Sequence, residues 1–242
     1  MTAAVWVGGC LALTVLLTRV SLTARVMADG GNNALQAWDM LHGHLLLHGW
    51  QIGDANYYVL ELPLLAVAEA LFGLGDLAEH VASGLTYTLV AAVAVAVAVA
   101  GSRGSARAAR TAVVLAVLAA PVFAGTMFLV VEEPDHIGTS VFIIGSFLLV
   151  DRLSARRVAG PLLLLAVLSA GQFEDLIVRY VAVPTIVLVC AYRALAARSV
   201  RSPDAVFGYA ALVSVPLSAL LVKVWVHVGG FTTAPPRGGV SP

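Results

Sequence analysis

The chain has 242 residues, of which 60% are hydrophobic and 12% charged, and its mean hydropathy is +0.93. This composition excludes an ordinary soluble domain, which is about one half apolar and one quarter charged, and a disordered chain, which is poor in Val, Ile and Leu. The net charge is zero, with 14 Lys and Arg against 14 Asp and Glu, so no basic field is present to recruit nucleic acid. The sequence therefore predicts an all-α, polytopic membrane protein.

Long apolar segments recur between short polar breaks, a pattern typical of membrane-spanning helices, which need about 20 apolar residues each. Seven spans are predicted, at residues 3–22, 80–100, 111–130, 137–150, 158–171, 176–195 and 205–228. Residues 89–100 alternate Val and Ala with the period of a strand, but their neighbours extend them into an unbroken apolar run. Such a run has no polar face for a barrel lumen and favours a helix.

The arginines predict the orientation of these spans. Three polar loops, 101–110, 151–157 and 192–204, contain three arginines each, and short arginine-rich loops remain in the cytoplasm. An even number of predicted spans separates them, so all three share one side. We expect a single domain in the plasma (cytoplasmic) membrane, with the N-terminus inside and a flexible C-terminal tail, 229–242, outside.

The first outer loop, residues 23–79, contains two predicted interfacial helices. From about 33 to 48, Ala34, Ala37, Trp38 and Leu41 recur at helical spacing. Ahead of them, the Asp-Gly-Gly-Asn sequence that begins at Asp29 provides a turn and a helix N-cap.

The second predicted interfacial helix, at about 57–74, is nearly apolar enough to be an eighth span. It contains Glu61, Pro63 and Glu69, and counting it as a span would place the N-terminus outside. We therefore predict a helix at the outer interface, packed against protein. A true span with an embedded Glu is the alternative.

Acidic residues and histidines concentrate on the predicted outer side. Only Asp151 and Asp204 fall inside, which leaves 12 of the 14 Asp and Glu outside together with all six histidines. The positive-inside rule concerns Lys and Arg and does not require this concentration. We therefore expect any catalytic or binding site on the outer side. The need of outer loops for solvated polar residues explains part of the same concentration.

The layout of the first loop resembles the GT-C superfamily of membrane glycosyltransferases. The resemblance rests on Asp29 shortly after the first span, the short helix at 34–43, the aromatic pair Tyr57-Tyr58, the Pro63-Leu64 step, and the apolar helix that ends in Phe72-Gly73. Members of this superfamily transfer sugars from polyprenyl-phosphate carriers on the outer or lumenal side of the membrane. They also place an apolar helix of this kind outside the bilayer.

The resemblance implies a site on the outer face, with Asp29 as general base on an acceptor hydroxyl and Asp135, in the second outer loop, as a further catalytic carboxylate. A cation is expected near the leaving phosphate, and the outer candidates are Arg25, Arg179 and Lys223. Other candidate substrate contacts are Asp54, Tyr57, Tyr58, Glu61 and His136.

A divalent metal is a further expectation for this site, because Glu133, Asp135 and His136 bring oxygen and imidazole ligands together. A third polar group, Gln172, Glu174 and Asp175, follows the fifth span and is expected to line the same cavity.

Each candidate also has a structural interpretation. The local sequence alone favours Asp29 as a helix N-cap, and Asp135 is consistent with a cap on the following span. Arg179 follows Asp175 by four residues, the spacing of a helical ion pair. The tyrosines are suited to anchoring at the membrane interface.

Two other classes of function remain open at the level of sequence. A lipid or solute transporter is expected to place ionisable residues near the bilayer midplane, whereas here they lie at helix mouths. A nonenzymatic scaffold or subunit would make the outer carboxylates individually dispensable.

Overall fold

The computed structural model describes residues 3–53, 55–123, 136–153, 158–200 and 202–233. Within these residues the chain is all-α, with nine helices and one pair of two-residue strands. In chain order the elements are α1 (Ala3–Ser21), α2 (Ala28–Leu41), β1 (Gln51–Ile52), α3 (Glu61–Phe72), α4 (Asp76–Ala98), α5 (Gly104–Phe123), α6 (Thr139–Leu153), α7 (Ala159–Glu174), α8 (Ile177–Ala196), α9 (Pro203–His227) and β2 (Thr232–Thr233).

Each segment predicted to span the membrane overlaps one of the helices α1 and α4 to α9. By length and apolar composition, four of them, α1, α4, α8 and α9, are able to cross a membrane. The helices α6 and α7 have only 15 and 16 residues, shorter than the roughly 20 that an untilted span needs. The end of the predicted third span, 124–130, lies outside the described residues. The multi-pass membrane character therefore rests on four helices.

The ends of these helices meet in two groups. We call one group the acidic end; it comprises the loop and helices of residues 22–75 together with segments 136–139, 174–177 and 228–233. Hydrogen bonds tie these segments together, for example from Asn56 N to the carbonyl of Glu174 (2.8 Å) and from Phe231 N to the carbonyl of Leu46 (2.9 Å). The starts of α4, α6 and α8 and the ends of α1, α7 and α9 therefore share one end of the molecule.

The opposite end, which we call the arginine end, contains the ends of α4, α6 and α8 and the starts of α5 and α9. Arg193 on α8 lies 3.8 Å from a carboxylate oxygen of Asp151 on α6 and 3.7 Å from one of Asp204 on α9. These are the two acidic residues that the sequence assigns to the inside, and both of them contact the same arginine. Successive helices thus run in alternating directions, as a chain that crosses a bilayer repeatedly requires.

The helix α2 differs from the first predicted interfacial helix at both ends. α2 begins at Ala28, so Asp29 and the two glycines after it lie within the helix rather than in a turn before it. The buried residues of α2 explain this start, because Gly30, Asn33, Ala34 and Ala37 form one face at helical spacing. The helix ends at Leu41, and a turn follows in which Gly43 has a φ of +95°.

An apolar helix lies at the acidic end between α2 and α4, in the segment predicted to form the second interfacial helix. α3 covers Glu61–Phe72, a shorter range than predicted, and it packs against both α2 and α4. Gly73, with a φ of +82°, ends it. Because α1 ends and α4 begins at the acidic end, α3 does not cross from one end of the molecule to the other.

Part of the predicted flexible tail is folded. β2 pairs in parallel with β1, with Gln51 opposite Thr232, and the Phe231 side chain is only 1% exposed. Burial of this aromatic ring at the acidic end stabilises the folded segment, although its Gly-rich composition predicts flexibility. The remainder of the predicted tail, 234–242, lies outside the described residues.

Candidate functional site

A polar cluster lies at the acidic end, where the strand-like segment before α3 crosses the turn between α7 and α8. Ala55 forms an antiparallel bridge with Asp175, and the Asn56 side chain donates to the carbonyl of Phe173 at 2.5 Å. These backbone contacts place three carboxylates, Glu61, Glu174 and Asp175, close to one another; we call them the carboxylate cluster. The sequence singled out all three, and the structure brings them together.

Asp175 is the most fully hydrogen-bonded member of the cluster. Its Oδ2 accepts from Thr139 Oγ1 at 2.5 Å and from His136 Nδ1 at 2.6 Å, and its Oδ1 accepts from the backbone N of Ile177 at 2.8 Å. Burial raises the pKa of this carboxyl, but the hydrogen bonds from His136, Thr139 and Ile177 outweigh it and hold the pKa below the ordinary value of 3.8. Asp175 is therefore an anion that joins α6 to the start of α8.

Glu174 and Glu61 bond the backbone of neighbouring segments. Glu174 Oε2 accepts from the backbone N of Leu60 at 2.6 Å, and Glu61 Oε1 accepts from that of Gly138 at 2.9 Å. Glu174 lies beyond the apolar part of α7, and burial, together with the charge of Glu61, raises its pKa to about 8. At neutral pH Glu174 is thus mainly protonated.

Gly138 shows how tightly this part of the cluster is packed. A Cβ placed on it would lie 2.8 Å from Cγ and 2.9 Å from Cδ of Glu61, closer than non-bonded carbon atoms approach. The absence of a side chain at position 138 is therefore what allows the Glu61 carboxylate to reach its backbone N–H.

Asp29 does not bond the carboxylate cluster and is not an N-cap. The N-cap of α2 is Met27, and no side chain bonds the first turn from that position. The Asp29 side chain is exposed, and it makes no hydrogen bond or ion pair with any described residue. Arg25 is likewise exposed and without such a partner in the described part of the chain. The capping interpretation of Asp29 is therefore wrong, and its carboxylate is available to a ligand.

Arg179 does not form the helical ion pair that its spacing from Asp175 suggests, because Asp175 is held by α6. The guanidinium instead donates from Nε to the Gln172 side chain at 3.4 Å and from Nη2 to the Ser218 hydroxyl at 3.3 Å. Gln172 in turn donates to Ser214 at 2.6 Å. Within the described residues no carboxylate lies within salt-bridge distance of this half-buried cation.

Tyr57 and Tyr58 have different surroundings. The Tyr57 ring packs edge-on against the His136 ring, with centroids 5.4 Å apart. Tyr58 belongs to an aromatic group with Phe173, Trp225 and Phe231, whose centroids lie 4.7–6.4 Å from its own. These rings pack on one another and bind the end of α9 to the outer loop. The contribution of Phe173 and Phe231 was not anticipated, since neither stands in a recognisable motif.

A second buried acidic pair lies between α3 and α4. Glu69 is 1% exposed and Glu79 is 4% exposed. Neither carboxylate oxygen of Glu69 has a hydrogen-bond partner among the described residues. Burial, and then the charge of Glu79, raise the pKa of Glu69 to about 7. Beside Glu79 on α4, His80 Nδ1 lies 2.8 Å from the Ser21 hydroxyl at the end of α1.

The expected metal site falls largely on residues that the structure does not describe. Glu133 and Asp135 lie outside the described residues, as does Asp54, while His136 contacts Asp175. Among the described residues, no group of three or more His, Cys, Asp or Glu side chains is arranged to hold a metal ion. No protein-family model, curated protein or solved structure matches this chain.

Proposed function

We propose that the protein is a seven-span plasma-membrane glycosyltransferase of the GT-C type, which transfers a sugar from a polyprenyl-phosphate carrier to an acceptor on the outer face. Asp29 is the proposed general base. One contrast carries this proposal. Asp29 is exposed in the first turn of α2 and has no hydrogen-bond partner among the described residues, whereas each member of the carboxylate cluster accepts hydrogen bonds from other parts of the chain.

The alternating direction of the helices supports the topology in this proposal. The acidic end contains α2 and α3 and the carboxylate cluster, and the opposite end contains Arg107 and Arg110 at the start of α5 and Arg193 near the end of α8. The positive-inside rule places the arginine end in the cytoplasm, so Asp29 faces outward. Seven crossings bring the folded residues 229–233 to the same side as the outer loop, where β2 pairs with β1.

The exposed residues of the outer loop support a location at the membrane interface. Leu35 and Leu41 on α2 and Leu45 after it are 52%, 42% and 59% exposed. In water such apolar exposure is unfavourable, whereas at the headgroup boundary it is favourable. A polyprenyl-phosphate carrier presents its phosphate at the same depth, which supports Asp29 as the proposed base.

The proposed reaction is a single displacement at the anomeric carbon. Asp29 removes the proton from the acceptor hydroxyl as its oxygen bonds to the anomeric carbon, and the bond from that carbon to the phosphate oxygen breaks. The electron pair of that bond leaves with the polyprenyl phosphate. Arg25, which is exposed, has no partner among the described residues and precedes Asp29 by four residues, is the proposed contact for the developing negative charge.

The test is sugar transfer by the purified protein in proteoliposomes, with a panel of polyprenyl-phosphate sugars and release of the polyprenyl phosphate as the readout. D29N should lower turnover by about 100-fold or more, the range for loss of a general base, with donor binding retained. D76N is the matched control, because Asp76 is also an exposed aspartate in the first turn of a helix at the acidic end. Equal turnover by D29N and wild type would overturn the proposal, and donor binding without any transfer by wild type would favour a nonenzymatic subunit.

A further inference from the structure

An apolar groove opens between α1 and α5, both of which pack against α4. Its volume is about 390 Å³, and α4 forms its floor. Trp6 and Leu13 line it from α1, Ala92 and Val95 from α4, and Leu115 from α5. The groove runs along helices that are proposed to lie in the bilayer, so its walls face hydrocarbon.

Among the described residues that line this groove, one is a cation. Arg107, near the start of α5, lies at the arginine end of the groove. Its side chain is exposed and has no hydrogen bond or ion pair with any residue that the structure describes. Two other arginines at this end have partners: Arg110 donates to the carbonyl of Ala98 at 3.1 Å, and Arg193 contacts two aspartates.

We propose that this groove binds an anionic phospholipid from the leaflet at the arginine end, with an acyl chain along α4 and the phosphate on Arg107. An apolar channel of this kind matches a hydrocarbon chain in shape and polarity. A guanidinium at its mouth matches a phosphate, to which it can donate two parallel hydrogen bonds. Charge complementarity thus selects an anionic lipid over the zwitterionic lipids that surround it. The proposal depends on the membrane location of α1, α4 and α5 and is independent of the chemistry at Asp29.

The position of Trp6 provides a direct assay. A brominated acyl chain quenches the fluorescence of a tryptophan that it touches, and the other three tryptophans, at 38, 50 and 225, lie at the acidic end. The protein is reconstituted in phosphatidylcholine vesicles that contain a fixed fraction of either brominated phosphatidylglycerol or brominated phosphatidylcholine. The signal of Trp6 is the difference between wild type and W6F. We expect an apparent affinity about fivefold higher for phosphatidylglycerol, which corresponds to about 1 kcal/mol for one cationic contact.

Two arginine variants separate a specific site from general surface charge. R107Q should abolish the preference for phosphatidylglycerol. R110Q, which removes the same charge one helical turn away, should retain it. A92F provides a second test that keeps Arg107, because a phenyl ring in the groove should displace the acyl chain and reduce quenching by both lipids.

Several outcomes would overturn the proposal. Equal quenching by the two brominated lipids would show that Arg107 does not select an anionic headgroup. An equal effect of R110Q and R107Q would show that only surface potential acts. Quenching of Trp6 by neither lipid, together with cross-linking between copies through this face, would show that protein fills the groove.

Discussion

Glu69 carries the most direct test of the electrostatics at the acidic end. This side chain is buried between α3 and α4, faces the charge of Glu79 and has no hydrogen-bond partner among the described residues. Its pKa is raised from 4.5 to about 7 in the folded protein. Replacing Glu69 with Gln, which resembles the protonated carboxyl, should therefore stabilise the protein at high pH and change little at low pH.

The size of the effect follows from linkage between protonation and folding. Below pH 4.5 the carboxyl of Glu69 is protonated in both states, and the stability associated with its raised pKa is fully present. As the pH rises towards 7 the unfolded chain loses this proton while the folded protein retains it, so stability falls until the folded carboxyl also ionises. The difference between 4.5 and about 7 corresponds to a loss of about 3 kcal/mol, at about 1.4 kcal/mol for each pKa unit.

The assay is reversible unfolding of wild type and E69Q by SDS in mixed micelles between pH 4.5 and 8, followed by circular dichroism. Glu174 titrates in the same direction over this range, but it is present in both proteins and cancels in their difference. The advantage of E69Q should grow from near zero at pH 4.5 to about 3 kcal/mol at pH 8. A difference that stays constant with pH, or that grows as the pH falls, would refute the assignment of a neutral, buried Glu69.

Three further predictions concern the cluster and the topology. G138A should destabilise the protein by about 1–3 kcal/mol through overpacking, whereas G145A, with no atom within 4 Å of the added Cβ, should not; equal thermal stability of the two would contradict this packing. D175N should lower the free energy of unfolding by about 2 kcal/mol at pH 7. Because the folded pKa of Asp175 lies below the ordinary value of 3.8, its difference from wild type should begin to shrink near pH 3.8 and disappear as the pH falls through the lower folded pKa; denaturant titration across pH measures both. Cysteines placed at Gly53 and at Ser105 test the topology in proteoliposomes sorted by orientation; Gly53 is exposed and has room for a side chain. The cysteine at 53 should react with a membrane-impermeant maleimide from outside and the cysteine at 105 from inside. The reverse pattern would invert the proposed topology.

The helical framework could be predicted because the bilayer imposes a simple requirement on composition. Every backbone polar group in hydrocarbon must be bonded within its own helix, so long apolar runs indicate spans directly. The same reasoning, together with the requirement that the three arginine-rich loops share one side, predicted that α3 is not a span. It could not decide whether α6 and α7 cross the membrane. Their lengths of 15 and 16 residues require local thinning of the bilayer for a span and are also suited to a buried helix.

The start of α2 and the folded tail could not be predicted, since tertiary packing overrides local preference at both. Gly30 and Gly31 favour a turn in isolation, yet burial of Gly30 on the face shared with Ala34 and Ala37 extends the helix over them. Phe231 is an isolated aromatic residue in a polar, Gly-rich context, and only the aromatic rings it meets across the acidic end make its burial favourable. Both errors concern contacts between residues distant in sequence.

The proposed role of Asp29 can be tested against a structural role, because Asp29 has no hydrogen-bond partner among the described residues whereas the carboxylates of the cluster do. A carboxylate in the first turn of a helix interacts with the helix dipole by only about 0.3–1 kcal/mol, and Asp29 has no other partner among the described residues. D29N should therefore leave the free energy of unfolding nearly unchanged, whereas D175N should lower it because three hydrogen bonds depend on that side chain. A large loss of sugar transfer in D29N, at nearly unchanged stability and with donor binding retained, would then point to chemistry at the carboxylate. If D29N lost stability as D175N does, a contact that holds the outer loop would explain both effects, and Asp29 would join the carboxylate cluster as a structural residue.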